Sequence, residues 1–519
     1  MKLGLQNFQG VTDYQEVEIA PITLIYGQNS SGKSIIYDAL VVGKDIFDKE
    51  SSALPGEWIN QSSRQGLAIS RGVETMLKFV DLPRPSGWDV TDTGKWLKHR
   101  AGMQVLDNGI TEHLIDLLWS PEGEQDKPKI SCEYRWRERA GGVVISGYRI
   151  EIDGAWALDW ASGDDHESSV VRINLDNSLV ASCSGFLDES KILWRDFEKK
   201  EGVLLSNMML EGLKCDLGFS EYMYDESYFD EDMSGRDPLF LLVAFLVSGA
   251  TFQVSKCVRF FLLGALRPAR TEEYIARKSS FDYDYVTDEC YAWKILAAAL
   301  AQRKAGIDDM FGSELEMLDK WIASPQYLGS GFALDVYVDF KAPLDDLASI
   351  SRVEPARMFE HVLKNYDLIY RVVLKDLARN RIIRVEDVGV GVSQVIPVLV
   401  AAAIWEKVFI QQPELHLHPR MQASLADVFI EKKTENGGFI LETHSELLVL
   451  RMLRRIRETY EGCVDSGLAL RANQLSVVYV SRTPEGETFF KKLRVAPNGE
   501  FLDRWPNGFF AERDAEIFS

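Results

Sequence analysis

Gly27-Gln28-Asn29-Ser30-Ser31-Gly32-Lys33-Ser34 is the stretch with the densest capacity for chemistry. Its two glycines let backbone N–H groups converge on phosphate oxygens. Lys33 supplies a positive charge for β- and γ-phosphates, and the Ser34 hydroxyl is a ligand for Mg²⁺. The apolar Ile22-Thr23-Leu24-Ile25-Tyr26 before it reads as a strand, and Ile35-Ile36-Tyr37-Asp38-Ala39-Leu40 after it opens an amphipathic helix. The loop therefore ends on a helix N-terminus, which adds partial positive charge. The bland alternative, a Gly/Ser-rich turn with an incidental lysine, explains neither the spacing nor the flanking elements.

Three further motifs lie more than 350 residues beyond Lys33. Val385-Glu386-Asp387-Val388-Gly389-Val390-Gly391-Val392-Ser393-Gln394 is a Gly-rich turn running straight into the apolar helix Val395–Ala401, a second place for N–H groups and a hydroxyl to meet an anion. In Val408-Phe409-Ile410-Gln411-Gln412-Pro413-Glu414-Leu415-His416-Leu417-His418-Pro419 an apolar strand delivers polar side chains at its C-terminal end, where a Mg²⁺ and an attacking water belong. His416 and His418 alternate, but no third ligand lies nearby, which speaks against a metal pair. Phe439-Ile440-Leu441-Glu442-Thr443-His444-Ser445 is another strand ending in a hydroxyl and an imidazole able to sense a γ-phosphate.

The remaining chain supplies elements to hold these groups. Short strands are predicted at Leu3–Leu5 and Val17–Ile19, an antiparallel meander across 128–200, helices across 290–323 and a strand at Leu334–Val338. Phe260–Leu266 reads as a strand leading to a turn with Arg267 and Arg270, read as solvated, with contact to phosphate or a neighbouring subunit as the alternative. Residues 45–92 carry no motif. The acidic, aromatic stretch 221–237 reads as a solvated connector rather than a docking surface. Pro238–Ser255 has no charge, yet polar residues interrupt it, so a buried helix is expected there and no membrane span.

Composition sets the outer bounds. A chain of 519 residues implies at least two domains or one with a large insertion. The 46% hydrophobic and 26% charged content is that of a folded globular protein, and the net charge of −21 repels phosphate backbones except at a local basic patch. Six cysteines without C-x-x-C spacing argue against zinc and a disulfide framework and fit a cytoplasmic setting, and no targeting segment is visible.

Taken together, G-Q-N-S-S-G-K-S, G-x-G-x-S-Q, Q-P-E-L-H-L-H-P and T-H-S occur in the order found in ABC-type ATPases, and the chain resembles the group that includes RecF, SMC and overcoming-lysogenization-defect (OLD) proteins. More narrowly it is similar to prokaryotic AAA-family ATPases with a C-terminal domain of unknown function, several of which act in anti-phage defence; the Gly264–Arg267 run and Trp505–Phe510 share in that resemblance. It implies an α/β fold, an ABC-type ATPase head with mixed sheet and phosphate loop, plus a large α+β insertion. The segments would be 1–45 (N-terminal part of the ATPase domain), 46–290 (insertion with meander and helices), 291–380 (a helical/β lobe), 381–464 (signature, metal-side strand and switch histidine) and 465–519 (a C-terminal domain).

The resemblance further implies ATP and Mg²⁺ as cofactors. Gly27, Asn29, Ser30, Ser31, Gly32, Lys33 and Ser34 would bind nucleotide, and Gly391, Ser393 and Gln394 would face the γ-phosphate of a second subunit. Gln411, Gln412, Glu414 and His444 would form the catalytic set, with Ser34 and Gln411 on the metal. Two ATPs would lie in a head-to-tail homodimer or higher homo-oligomer. One departure stands out. Relatives usually carry an acid at the position of Gln411 and often a catalytic Glu at the next, here Gln412; an amide is no general base. Either Glu414 takes the polarising role, or hydrolysis is slow and the ATP-bound state does the work.

Relatives that cut nucleic acid carry a Toprim nuclease after the switch histidine, and 75 residues (519 − 444 = 75) are too few for one. The expected function is thus an ATP-dependent sensor or scaffold controlling a separate effector protein, a nuclease or toxin. The alternative is a DNA-repair or chromosome-associated ATPase binding DNA directly. It lacks a heptad array, and its sole dense basic cluster is Arg451, Arg454, Arg455 and Arg457. A transporter subunit is disfavoured by the long insertion.

Overall fold

The structure is a computed structural model. The residues it describes fall mainly in 1–48, 74–82, 128–183, 242–276, 291–346 and 368–505, so 55–73, 83–127, 184–241, 277–290 and 506–519 lie outside them. The expected connector at 221–237 and the Pro506–Phe510 ending are among the latter, and Arg270 within the 242–276 stretch is likewise outside the described residues. The fold is α/β with mixed sheets, in two compact units that interleave along the chain. The first takes Met1–Ile19, Gly27–Arg259 and Val478–Lys492; the second takes Ala20–Tyr26, Phe260–Val477 and Leu493–Ser519.

In the first unit, β1 (Lys2–Gln6) and β2 (Gln15–Glu18) start an antiparallel sheet. It continues through β5 (Thr75–Val80), β6 (Ile130–Arg139), β7 (Gly142–Ile152), β8 (Ala155–Ser162) and β9 (Ser169–Ile173), with β4 (Ala53–Leu54) paired to β7 and the short helix α2 (Ser178–Ser182) after β9. The meander expected from the alternating pattern is therefore present as four strands, β6 to β9. Its period-2 code is physical: Cys132, Tyr134 and Trp136 are buried on one face, while Glu133 and Arg135 leave on the other. There Arg135 and Arg149 both reach Asp159, at 2.6 and 3.0 Å, and Lys78 reaches Glu151 at 2.6 Å. Gly147 makes room for this, since a Cβ would come within 2.7 Å of the Arg135 guanidinium carbon. At the described positions of the apolar stretch after Pro238, Leu242, Leu246, Val247, Ala250 and Val254 are buried. No helix among the described residues is long and apolar enough to cross a membrane.

In the second unit, β10 (Phe261–Leu263), β15 (Lys407–Gln411), β16 (Gly438–Glu442) and the Ile22–Tyr26 part of β3 (Ile22–Gly27) run parallel in that order. Every residue of β3 and β16 is buried, as strands covered on both faces require. Helices α5 (Val390–Ile404), α6 (Pro419–Lys432) and α7 (Glu446–Tyr460) follow strand ends or link them. A second antiparallel sheet holds β11 (Tyr274–Ala276), β13 (Leu368–Asp376), β12 (Phe332–Phe340) and β14 (Arg381–Arg384), preceded in part by helices α3 (Tyr291–Ala305) and α4 (Gly312–Ala323).

Helix α7 shows why the chain folds this way locally. Ser445 caps it, accepting the Leu448 N–H at 3.2 Å, and Leu448, Val449, Met452, Leu453 and Ile456 form its buried stripe. Asp427 on α6 is 0% exposed and takes Arg451 at 2.7 Å and Arg455 at 2.8 Å. Arg455 and Arg454 also bind Glu458. Arg451 and Arg455 of the basic cluster are thus engaged with a buried acid, while Arg454 pairs with Glu458 at the surface and stays 62% exposed.

Candidate functional site

The loop begins where β3 ends, at Gly27, and closes where α1 (Ser34–Asp48) begins. Lys33 is 5% exposed, and its ammonium turns back on the loop, donating to the carbonyls of Gln28 at 2.9 Å and Gly27 at 3.1 Å. The Ser31 N–H donates to Gln28 at 3.3 Å, and Ile35 N–H to Gly32 at 3.1 Å starts the helix. Gly32 has φ +101° and a Cβ there would stand 2.7 Å from the Thr488 hydroxyl, so backbone freedom and space both demand glycine. The Ser31 hydroxyl is buried with no hydrogen-bond partner among the described residues. Ser30 and Ser34 are exposed, Ser34 at the helix start; Asn29 lies outside the described residues. Gln9 fixes α1 from the side, donating to Asp38 at 2.8 Å.

A triphosphate fits this loop. A buried cation that holds the carbonyls of Gly27 and Gln28 can exchange them for phosphate oxygens, the Ser31 hydroxyl, unpartnered among the described residues, can donate, and the start of α1 adds partial positive charge. Ser34 is the residue there with a hydroxyl for Mg²⁺.

The second unit gathers the other candidate residues around the C-terminal ends of β15 and β16. The two strands pair so that Gln411 lies opposite Glu442, and the Gln411 amide donates to the Glu442 carboxylate at 3.3 Å. Gln412 then reverses the chain at φ +45°, its N–H donating to the Glu442 carbonyl at 2.7 Å. Glu414 is 8% exposed; one carboxylate oxygen accepts the His444 N–H at 2.7 Å and the other has no partner among the described residues. Burial pushes its carboxyl above the usual range, against the His444 N–H, Thr443 and Arg267, which pull it down. The His444 ring meets Tyr26 edge-on, centroids 6.3 Å apart, and Tyr26 also meets Trp505 at 5.7 Å. In the sequence Tyr26 is the residue before Gly27.

Arg267, read from the sequence as a solvated turn arginine, is 0% exposed, and that expectation is corrected. Its guanidinium donates to the carbonyls of Gln411 and, at 3.0 Å, Gln412. Burial pushes it down to about 10, with Glu414 pulling the other way. Gln394 clasps its main chain, accepting the Arg267 N–H at 3.1 Å and donating to its carbonyl at 2.7 Å. Ser393 is buried and donates to Val390 at 2.9 Å. Gly391 packs on the next turn, where a Cβ would sit 2.6 Å from the His416 carbonyl oxygen. His418 caps α6, its ring accepting the Arg420 N–H at 3.3 Å.

The structure thus brings Gly391, Gln394, Gln411, Gln412, Glu414 and His444 together in the second unit, while Gly27–Ser34 belong to the first. Two residues escaped sequence reasoning: Glu442, legible only as a strand-end acid, and Arg267, for which burial was the missing signal.

Residues 334–449 match the family model described as an AAA ATPase domain, and residues 2–69 match an AAA domain. No curated protein matches the chain. Similar solved structures include an SMC head bound to the C-terminal winged-helix domain of ScpA (12% identity, 95% of this chain, 97% of that one, TM-score 0.38) and the SMC head domain from Thermotoga maritima (10%, 95%, 98%, 0.34). A third is the SMC head with an extended coiled coil bound to the C-terminal domain of ScpA from Pyrococcus furiosus (12%, 95%, 96%, 0.36). At these TM-scores the likeness carries no functional weight.

Proposed function

We propose that the protein is an ATPase that binds ATP with Mg²⁺ and hydrolyses it slowly. The observation that supports this most is the loop itself. A buried lysine folded onto two carbonyls at a helix start lies within one of the two stretches that match ATPase domain models. Lys33 and the loop N–H groups would hold the phosphates and Ser34 would face the metal; when bound, Mg²⁺ would neutralise phosphate charge, and a role for Gln411 on the metal rests on the resemblance of the motifs. Glu414 would hold the proton taken from water, since burial raises its affinity for that proton. His444, fixed by its N–H on Glu414, would sense the γ-phosphate. Gly391 and Ser393 would serve a neighbouring copy in a homodimer or larger assembly, with Gln394 bracing the same helix start through its amide on the Arg267 main chain.

The nucleotide state would govern a separate effector, a nuclease or toxin, in prokaryotic anti-phage defence; that part rests on the resemblance of the motifs. Direct DNA binding, the alternative, would have to use Arg454 and Arg457, since Arg451 and Arg455 already hold buried Asp427.

Fluorescent-ATP binding and phosphate release on purified wild type and Lys33→Ala test the reading. Wild type should bind and turn over ATP, and the variant should lose at least about tenfold in affinity, as expected for removal of a charge-assisted contact. Equal binding by the two proteins would refute the assignment of the loop.

A further inference from the structure

We propose that Arg267 is a positioning residue that couples the start of α5 to the Gln411–Glu414 turn. Its two ends hold different elements. The main chain of Arg267 is gripped from α5 by Gln394, through both its N–H and its carbonyl, while the guanidinium holds the carbonyls of Gln411 and Gln412. Gln412 needs such holding, because a non-glycine residue at φ +45° occupies a sparsely populated region that surrounding contacts must fix. Whatever shifts Gln394 therefore pulls on the carbonyls that set where Glu414 and its unpartnered oxygen point.

A plain packing role does not account for Arg267. An arginine is a costly core residue, and its Nε and Nη1 are buried with no partner among the described residues. The side chain thus keeps a charge beside Glu414 that packing alone does not require. A methionine of similar length would fill the space without that cost.

The catalytic half of the inference rests on the ATPase reading above; the mechanical half does not. Amide hydrogen exchange over Gln412–Leu417 is measured in the full-length wild type, Gln394→Ala and Arg267→Met. Coupling predicts that Gln394→Ala, a change on α5, speeds exchange in the turn about tenfold or more, while Val408–Ile410 in β15 keep their rates. Unchanged exchange in the turn would overturn the proposal. In phosphate release, both variants should lose about tenfold or more in kcat with KM for ATP within about threefold, and the double variant should be no worse than either single one. Additive losses, or a raised KM with kcat intact, would mean a merely structural role. Should Arg267→Met fail to fold, Gln394→Ala alone decides, because it leaves the guanidinium in place. A wild type without turnover refutes the ATPase reading and leaves the exchange result to judge the coupling.

Discussion

Replacing Gln411 by Glu sets a second carboxylate against Glu442, where the native amide donates a hydrogen bond at 3.3 Å. Two things change. A hydrogen bond to a charged group is lost, on the order of 1.5–3 kcal/mol, and two like charges meet. At that separation, with an effective dielectric of about 20, the repulsion is on the order of 5 kcal/mol. Holding a proton on one of them at pH 7 costs less: about 1.4 kcal/mol per pH unit above an ordinary Glu value near 4.3, or roughly 3–4 kcal/mol. The pair should therefore take up a proton. The carboxyl so affected has a folded-state pKa above its unfolded value, so the penalty is absent below about pH 4.3 and grows as pH rises until the folded value is passed. In chemical denaturation without divalent ions, Gln411→Glu should fall increasingly below wild type between about pH 5 and 8. Mg²⁺, by bridging the two acids, should recover most of the loss, and phosphate release should rise with an acid restored at the metal side. A difference from wild type that stays flat with pH, or a variant more stable at pH 8 without Mg²⁺, would refute the reasoning.

Two further substitutions test the fold around the site. Asp427→Ala leaves Arg451 and Arg455 without their buried partner and should destabilise by about 3–5 kcal/mol in urea unfolding, whereas a loss under about 1 kcal/mol would contradict the burial seen here. Gly391→Ala forces a methyl to within 2.6 Å of the His416 carbonyl and should cost about 1–3 kcal/mol, read as a lower midpoint with the same denaturant slope.

The legible part of the molecule was the local part. Ile22–Tyr26 and Phe439–Leu441 are short apolar runs that have few alternatives to buried strands, and Gly389 and Gly391 mark the start of α5. The meander was readable because residues 131–136 alternate strictly. β5 was missed: Thr75–Val80 alternates over only six residues in an otherwise uninformative stretch, and it is fixed by pairing with β1 on one side and β6 on the other. The contacts that shape the candidate site depend on register between distant segments. Gln411 meets Glu442 only because β15 and β16 pair in one particular register, and the contacts that hold Arg267 come from Gln394, 127 residues away, and from Gln411 and Gln412, farther still. No spacing rule within one segment encodes either.

The strand that carries the loop has a long wait during synthesis. Ile25 emerges early, yet its partner Glu442 lies more than 400 residues downstream. At about 5–20 residues per second, ribosomes would leave that strand unpaired for roughly 20–80 s. Its unbroken apolar face is exposed to misassembly throughout, which makes yield sensitive to chaperone supply and growth temperature even where the finished protein is stable.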